Sequence, residues 1–138
     1  VGCGYWGPNL IRNLRQSPDC QLKLVCDTNE QRLAHMRRLH PEVATTRRFE
    51  DLLNGADLDA VVIATPVRFH YEMAKACLSM GKHVFIEKPM TRTEAEAEEL
   101  VALAERDGLV IMVGHTFLFS PAVRRMKEIV ELAQVAKE

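Results

Sequence analysis

Short apolar runs alternate with amphipathic stretches along the whole chain. Residues 22–26, 60–64, 83–86 and 109–113 are predicted strands, and 44–47 a weaker one. The last three of the four main runs are almost continuously apolar, as expected of parallel strands covered on both faces. Between them lie helical patterns. Leu10, Ile11 and Leu14 share one face of a first helix. Met73, Ala74, Ala76, Cys77 and Met80 form a stripe, with Gly81 where a C-terminal cap belongs. Thr93 and Glu96 have capping-box spacing, which predicts that each satisfies the other's backbone N–H. Gly108 closes that helix. Ser120-Pro121 reads as an N-cap followed by proline at the first helical position, and Val123, Met126, Ile129 and Val130 continue a helical face. This alternation predicts an α/β fold: a doubly wound parallel sheet (Rossmann fold) with helices on both faces and right-handed crossovers. No repeat, low-complexity tract or linker divides the chain.

Gly2-Cys-Gly-Tyr-Trp-Gly7 has the GxGxxG spacing. Alone the spacing is weak, because glycines also gather in turns. Here a helix follows it, Pro8 suits that helix's first turn, and Asp27 ends the next strand about twenty residues beyond Gly7. Together these form a dinucleotide-binding fingerprint. Gly2 permits a tight turn, Gly4 lets a pyrophosphate approach the backbone, and Gly7 lets helix and strand pack closely. The helix N-terminus offers free N–H groups to phosphates. Asp27 can accept hydrogen bonds from both ribose hydroxyls, and Thr28, not arginine, follows it, so NAD is expected over NADP. The fingerprint also expects a strand before Gly2, of which the sequence has Val1. The expected strand order is 3-2-1-4-5-6, with Gly4, Asp27, Thr65 and Lys88 on the C-terminal edge.

Composition narrows the field. Hydrophobic residues are 47% of the 138 and charged residues 27%, enough apolar side chain for the core of one domain. The net charge of −1 gives no reason to expect nucleic acid or an anionic membrane as partner. No apolar run reaches membrane-spanning length and no signal peptide is recognisable. Cys3, Cys20, Cys26 and Cys77 show neither CxxC spacing nor zinc-site spacing with histidine, so no metal site is expected. Three of them sit in apolar patterns as buried thiols, which fits the reducing cytoplasm.

Three polar clusters fall at predicted strand ends: Thr65-Pro66 with His70 beyond it, Glu87-Lys88-Pro89, and Gly114-His115-Thr116. Open parallel sheets bind ligands along this edge. Each residue also has a plainer reading. Pro66 can simply stop its strand, His70 can cap a helix or pack in the core, and Glu87 and Lys88 can be solvated charges. Tyr5 and Trp6 can cover a pyrophosphate or merely pack. Arg12, Arg32, Arg47 and Arg48 can be read as phosphate binders. Arg32, one helical turn beyond Asp27, is expected to lie too far along its helix to offset the carboxylate.

Gly2-Cys-Gly-Tyr-Trp-Gly-Pro-Asn9, Asp59-Ala-Val-Val-Ile-Ala-Thr-Pro66 and Gly81-Lys-His-Val-Phe-Ile-Glu-Lys-Pro89 together resemble the Gfo/Idh/MocA oxidoreductases, most specifically in the last motif. The match to members acting on nucleotide sugars is looser. The resemblance implies an NAD(P)-binding Rossmann domain over residues 1–131. Residues 132–138 are then a helix extension or a C-terminal helix packing back. It implies a second α/β domain, outside this sequence, that carries the catalytic histidine, the substrate contacts and a homo-oligomer interface. It further implies that Lys88 is catalytic, beside nicotinamide and substrate hydroxyl, that Glu87 touches the nicotinamide side or positions Lys88, and that a cis peptide precedes Pro89. Thr65, Pro66 and His70 then belong to the cofactor site. The implied reaction moves hydride between NAD and a hydroxyl-bearing carbon of a sugar, nucleotide sugar or polyol. The alternatives are an NAD-dependent glycoside hydrolase or lyase on the same fold, and a non-catalytic dinucleotide-binding module. Lys88 favours the enzymes.

Overall fold

The computed structural model describes residues 1–135. Helix α1 (Gly7–Gln16) grows directly out of the glycine loop, three residues before the first apolar position at Leu10. Then come β1 (Leu24–Cys26), α2 (Glu30–Leu39), β2 (Ala44–Thr46), α3 (Glu50–Asn54), β3 (Ala60–Ile63), α4 (His70–Ser79), β4 (His83–Ile86), α5 (Glu94–Arg106), β5 (Ile111–Val113) and α6 (Pro121–Val135). All strand pairs are parallel.

The helix ends follow local chemistry. The Asn29 side chain accepts the N–H groups of Gln31 and Arg32 and starts α2. Gly81 takes φ +71° after α4, and Lys82 N donates to Cys77 O across the turn at 3.0 Å. Thr93 caps α5 by accepting Glu96 N at 3.3 Å. The reciprocal arm of the expected capping box is displaced: the Glu96 carboxylate accepts Arg92 N, one residue further out, and Arg92 also pairs with it through its guanidinium.

The backbone ladders form two sheets, β1-β2 and β3-β4-β5, where one continuous sheet is expected. Val1 and Gly2 join them. Val1 N donates to Val62 O at 2.6 Å, Ala64 N to Val1 O at 2.9 Å, and Gly2 N to Cys26 O at 2.9 Å. Two residues make too short a ladder to count as a strand, yet they sit in the central position. Counted as the first strand, they restore the expected order 3-2-1-4-5-6. Below Val1 a slot of about 500 Å³ lies between β1 and β3, lined by residues that include Leu14, Leu22, Leu24 and Val62.

Alternation along β1 separates two cores. Val25 packs with Cys3, Ile11, Leu33, Met36 and Val43 on one face. Cys26 joins Leu52, Val61, Ile63, Ala74, Cys77, Leu78, Val84, Ile86 and Leu100 on the other. Helices therefore cover both faces there. At β5 the expected double cover fails: Met112 is 45% exposed and Val110 61%. Helix α6 packs on the 3₁₀ turn Thr116–Phe119 before it, and its Met126, Ile129 and Val130 face solvent. Residues 132–135 continue α6; the remainder of the 132–138 segment lies outside the described residues.

Candidate functional site

The three loop glycines meet three different surroundings. Gly2 has φ +92°, and a Cβ there would lie 2.6 Å from Ala64 O. A Cβ on Gly7 would lie 2.1 Å from Gly2 O, closer than any side chain tolerates. A Cβ on Gly4 would meet nothing within 4 Å. Gly2 and Gly7 are thus required by the fold, while the space over Gly4 is open. No side chain caps α1 and its first turn holds no acidic residue, so its dipole end faces that space unopposed.

Asp27 directly follows β1 and is buried. One carboxylate oxygen accepts Cys3 N at 2.6 Å and the other Asn29 N at 2.8 Å. The Arg32 guanidinium comes to 3.6 Å from Oδ2. Arg32 is therefore within reach of the carboxylate, nearer than its place along the helix implies. Helical side chains lean toward the N-terminus, so Arg32 reaches back over the first turn of α2. Thr28 is exposed, and its carbonyl accepts Arg47 Nε at 3.2 Å.

Across the sheet edge, Thr65 and Pro66 follow β3, and Glu87 and Lys88 follow β4. Thr65 Oγ1 donates to Met73 Sδ at 3.7 Å. Lys88 N donates to its neighbour's carboxylate, Glu87 Oε2, at 3.3 Å. Gly114, after β5, lies under that carboxylate: a Cβ there would be 3.2 Å from Glu87 Oε1. The Lys88–Pro89 peptide is cis. His70 is 1% exposed and lies behind the wall, with its ring nitrogens on Thr65 O and Pro89 O. His115 is exposed and lies outside the cavity lining.

One open cavity of about 640 Å³ collects Gly2, Gly4, Tyr5, Trp6, Asp27, Thr28, Thr65, Pro66, Glu87 and Lys88. That volume suits a large small-molecule ligand. Tyr5, 87% exposed, and Trp6 stand edge to face, 5.5 Å apart, on the loop. Arg32, Arg47, Arg48, Phe49, Phe69 and Met73 also line the cavity. Phe49, Phe69 and Met73 carry no motif that marks them in the sequence. Arg47 and Arg48 directly follow β2, so the strand-edge rule that singles out Thr65 and Lys88 applies to them as well. Of the three polar clusters, two line the cavity and the third supplies Gly114 beneath Glu87. The arrangement offers an uncapped helix end between a carboxylate with arginines on one side and a lysine–carboxylate pair on the other. It is shaped for an elongated ligand with an anionic middle.

The chain is 29% identical over 135 residues to the uncharacterized oxidoreductase YrbE of Bacillus subtilis, covering 98% of this chain and 40% of that one. The crystal structure of scyllo-inositol dehydrogenase from Lactobacillus casei with bound NAD(H) and scyllo-inositol superposes with a TM-score of 0.84 at 25% identity, over 97% of this chain and 40% of that one. Biliverdin reductase from Synechocystis, in complex with biliverdin and NADP+, gives 0.88 at 27% identity, over 95% and 41%. The chain thus spans about two fifths of the length of these relatives. Residues 1–115 match the model of the GFO_IDH_MocA oxidoreductase family's NAD-binding Rossmann fold, and the chain belongs to that family.

Proposed function

We propose that this chain is the cofactor-holding part of a dehydrogenase that moves hydride between NAD and a hydroxyl-bearing carbon of a polyol or sugar. The observation that carries the reading is the meeting of Lys88 with the glycine loop and Asp27 in one cavity. The open space over Gly4 and the uncapped α1 fit a pyrophosphate. A relative of the same fold holds NAD(H) and scyllo-inositol. NAD, when bound, supplies the hydride chemistry. The chain's own residues bind and orient. Asp27 takes the adenosine ribose hydroxyls on its remaining lone pairs, beside Thr28. Gly2, Gly4 and Gly7 shape the loop, and Tyr5 and Trp6 shield the pyrophosphate from water. Thr65 and Pro66 wall the nicotinamide end. Lys88 donates a hydrogen bond to the substrate hydroxyl and stabilises negative charge on that oxygen while the hydroxyl proton passes to a base supplied by the second domain. Glu87 fixes the turn that carries Lys88.

A second α/β domain completes the substrate cleft and carries a homo-oligomer interface; relatives well over twice as long have room for such a domain. Among the described residues no helix is long and apolar enough to cross a membrane. Four free thiols support a reducing cytoplasmic setting. The test is to titrate the intact protein with NADH by fluorescence and assay it with NAD against a panel of inositols, sugars and nucleotide sugars. Saturable NADH binding and turnover of at least one polyol or sugar are expected. Binding without turnover of any of them would sink the dehydrogenase reading and leave the glycoside hydrolase or lyase and the dinucleotide-binding module.

A further inference from the structure

His70 opens α4 with a side chain that is 1% exposed and does not line the cavity. Its Nδ1 lies 2.9 Å from Pro89 O and its Nε2 2.7 Å from Thr65 O. Those carbonyls belong to different strand ends. Thr65 follows β3 on the cavity wall, and Pro89 follows Lys88 after β4. Imidazole is a rigid ring with a polar nitrogen at each end. The tautomer decides which carbonyl accepts its N–H, and a proton on both nitrogens would serve both. In either case one buried ring spans the gap between two loops. Glu87 N donates to Ile63 O at 2.9 Å, but beyond it Lys88 is exposed and its backbone N–H donates only to the adjacent Glu87 side chain.

We infer that His70 is a positioning residue that locks the Lys88-Pro89 turn to the Thr65 end of β3, and so sets where the Lys88 ammonium stands along the cavity wall. The inference rests on the proposed role of Lys88. Any buried imidazole needs partners for its nitrogens; what sets His70 apart is that its two partners lie on two different strand ends, one of them directly after Lys88.

The experiment uses the intact protein with His70→Leu, which keeps bulk and loses both contacts, and His70→Gln, whose NH₂ group can still donate to one of the two carbonyls. Leu78→Ala serves as a purely structural change in α4. His70→Leu is expected to lower kcat about 10- to 100-fold, the range for a misplaced catalytic group, with the Kd for NAD changed less than about 3-fold. His70→Gln should recover part of the loss. Leu78→Ala should lower Tm and leave kcat near the parent value below its melting range. Adding Lys88→Ala to His70→Leu should cost no more than Lys88→Ala alone, because one acts through the other. Additive losses, an unchanged kcat in His70→Leu, or an equal loss of NAD affinity would overturn the inference. A second readout is independent of turnover: the acylation rate of Lys88 with NAD bound, followed by peptide mass spectrometry. NAD should protect Lys88 in the parent and fail to protect it in His70→Leu. Equal protection in both would overturn the positioning role even if no polyol proves to be a substrate, an outcome that would separately end the dehydrogenase reading.

Discussion

The Asp27 carboxylate accepts the backbone N–H of Cys3 at 2.6 Å, across 24 residues of chain. It accepts Asn29 N with its other oxygen. One buried side chain therefore ties the glycine loop to the end of β1 and to the start of α2, besides facing the cavity. Asparagine has a single acceptor oxygen, so in Asp27→Asn an amide NH₂ would face one of the two N–H donors. The expected cost is on the order of 1–3 kcal/mol of stability, from one unsatisfied buried donor. Thermal unfolding checks it: a Tm equal to the parent's would mean that the loop does not depend on this contact.

Gly4 and Gly7 separate ligand from fold. Gly7→Ala would place a methyl group 2.1 Å from Gly2 O, so the loop or α1 must move. Destabilisation of at least about 2 kcal/mol is expected, as for other overpacked backbone sites. Gly4→Ala meets no protein atom within 4 Å, so its Tm should stay near the parent's. Its methyl group would occupy the space proposed for pyrophosphate, and NADH affinity should fall more than about 10-fold. Differential scanning fluorimetry and NADH titration of both variants read this out. A Gly4→Ala protein that binds NADH normally would remove the phosphates from that space.

The strand edge is legible in the sequence because it rests on short-range pattern. Apolar runs of four or five residues mark β3 and β4, and the residues just after each run must lie on the same edge. The fold roles of Gly2 and Gly7 follow from their spacing taken with the helix and the acidic residue that come after it. Side-chain reach is less legible. Whether Arg32 touches Asp27 depends on the lean of a helical side chain across the first turn of α2, not on residue count. His70 is ambiguous for a related reason. A histidine early in a helix has the same sequence appearance whether it faces ligand, solvent or two distant carbonyls. Only the approach of Pro89 from another strand end decides. The two-part sheet and the bare face of β5 depend on their neighbours in space, which periodicity does not encode.

Burial sets the cysteines apart. It pushes the Cys3 thiol up to about 11, with Asp27 adding to the rise, and burial likewise pushes Cys77 up to about 11. The thiolate is the nucleophile, so at pH 8 both should resist alkylation in the native state while exposed Cys20 reacts. Iodoacetamide labelling with mass spectrometry should find Cys20 alone modified in native protein and all four after unfolding. These thiols prefer the neutral form when folded. Their contribution to stability is present below the ordinary thiol range and falls as pH rises from about 9 to about 11. Rapid native labelling of Cys77 at pH 8 would contradict the buried placement.

Cofactor choice turns on a carboxylate with arginine company. Asp27 repels a 2′-phosphate and hydrogen-bonds a free 2′-hydroxyl. Alone, it should favour NADH over NADPH by a large factor. Arg32 stands 3.6 Å from that carboxylate, and Arg47 and Arg48 line the same end of the cavity. Each can meet a phosphate, although Arg48 already pairs with Asp51. Because Asp27 is buried and fixed by two backbone N–H groups while Arg32 is half-exposed, the carboxylate should still win. A preference for NADH of roughly 10- to 30-fold is expected, about 1.4–2 kcal/mol. Arg32→Ala should widen it by removing a phosphate partner. Asp27→Ala should reverse it, leaving guanidinium groups with no carboxylate among them. Added salt should weaken NADPH more than NADH, since the extra phosphate binds by exposed charge. Paired NADH and NADPH titrations of the three proteins at low and physiological salt decide the matter. Tighter binding of NADPH by the unmutated protein would show that the arginines dominate. An Arg32→Ala variant with unchanged preference would show that Arg32 serves Asp27 and not the cofactor.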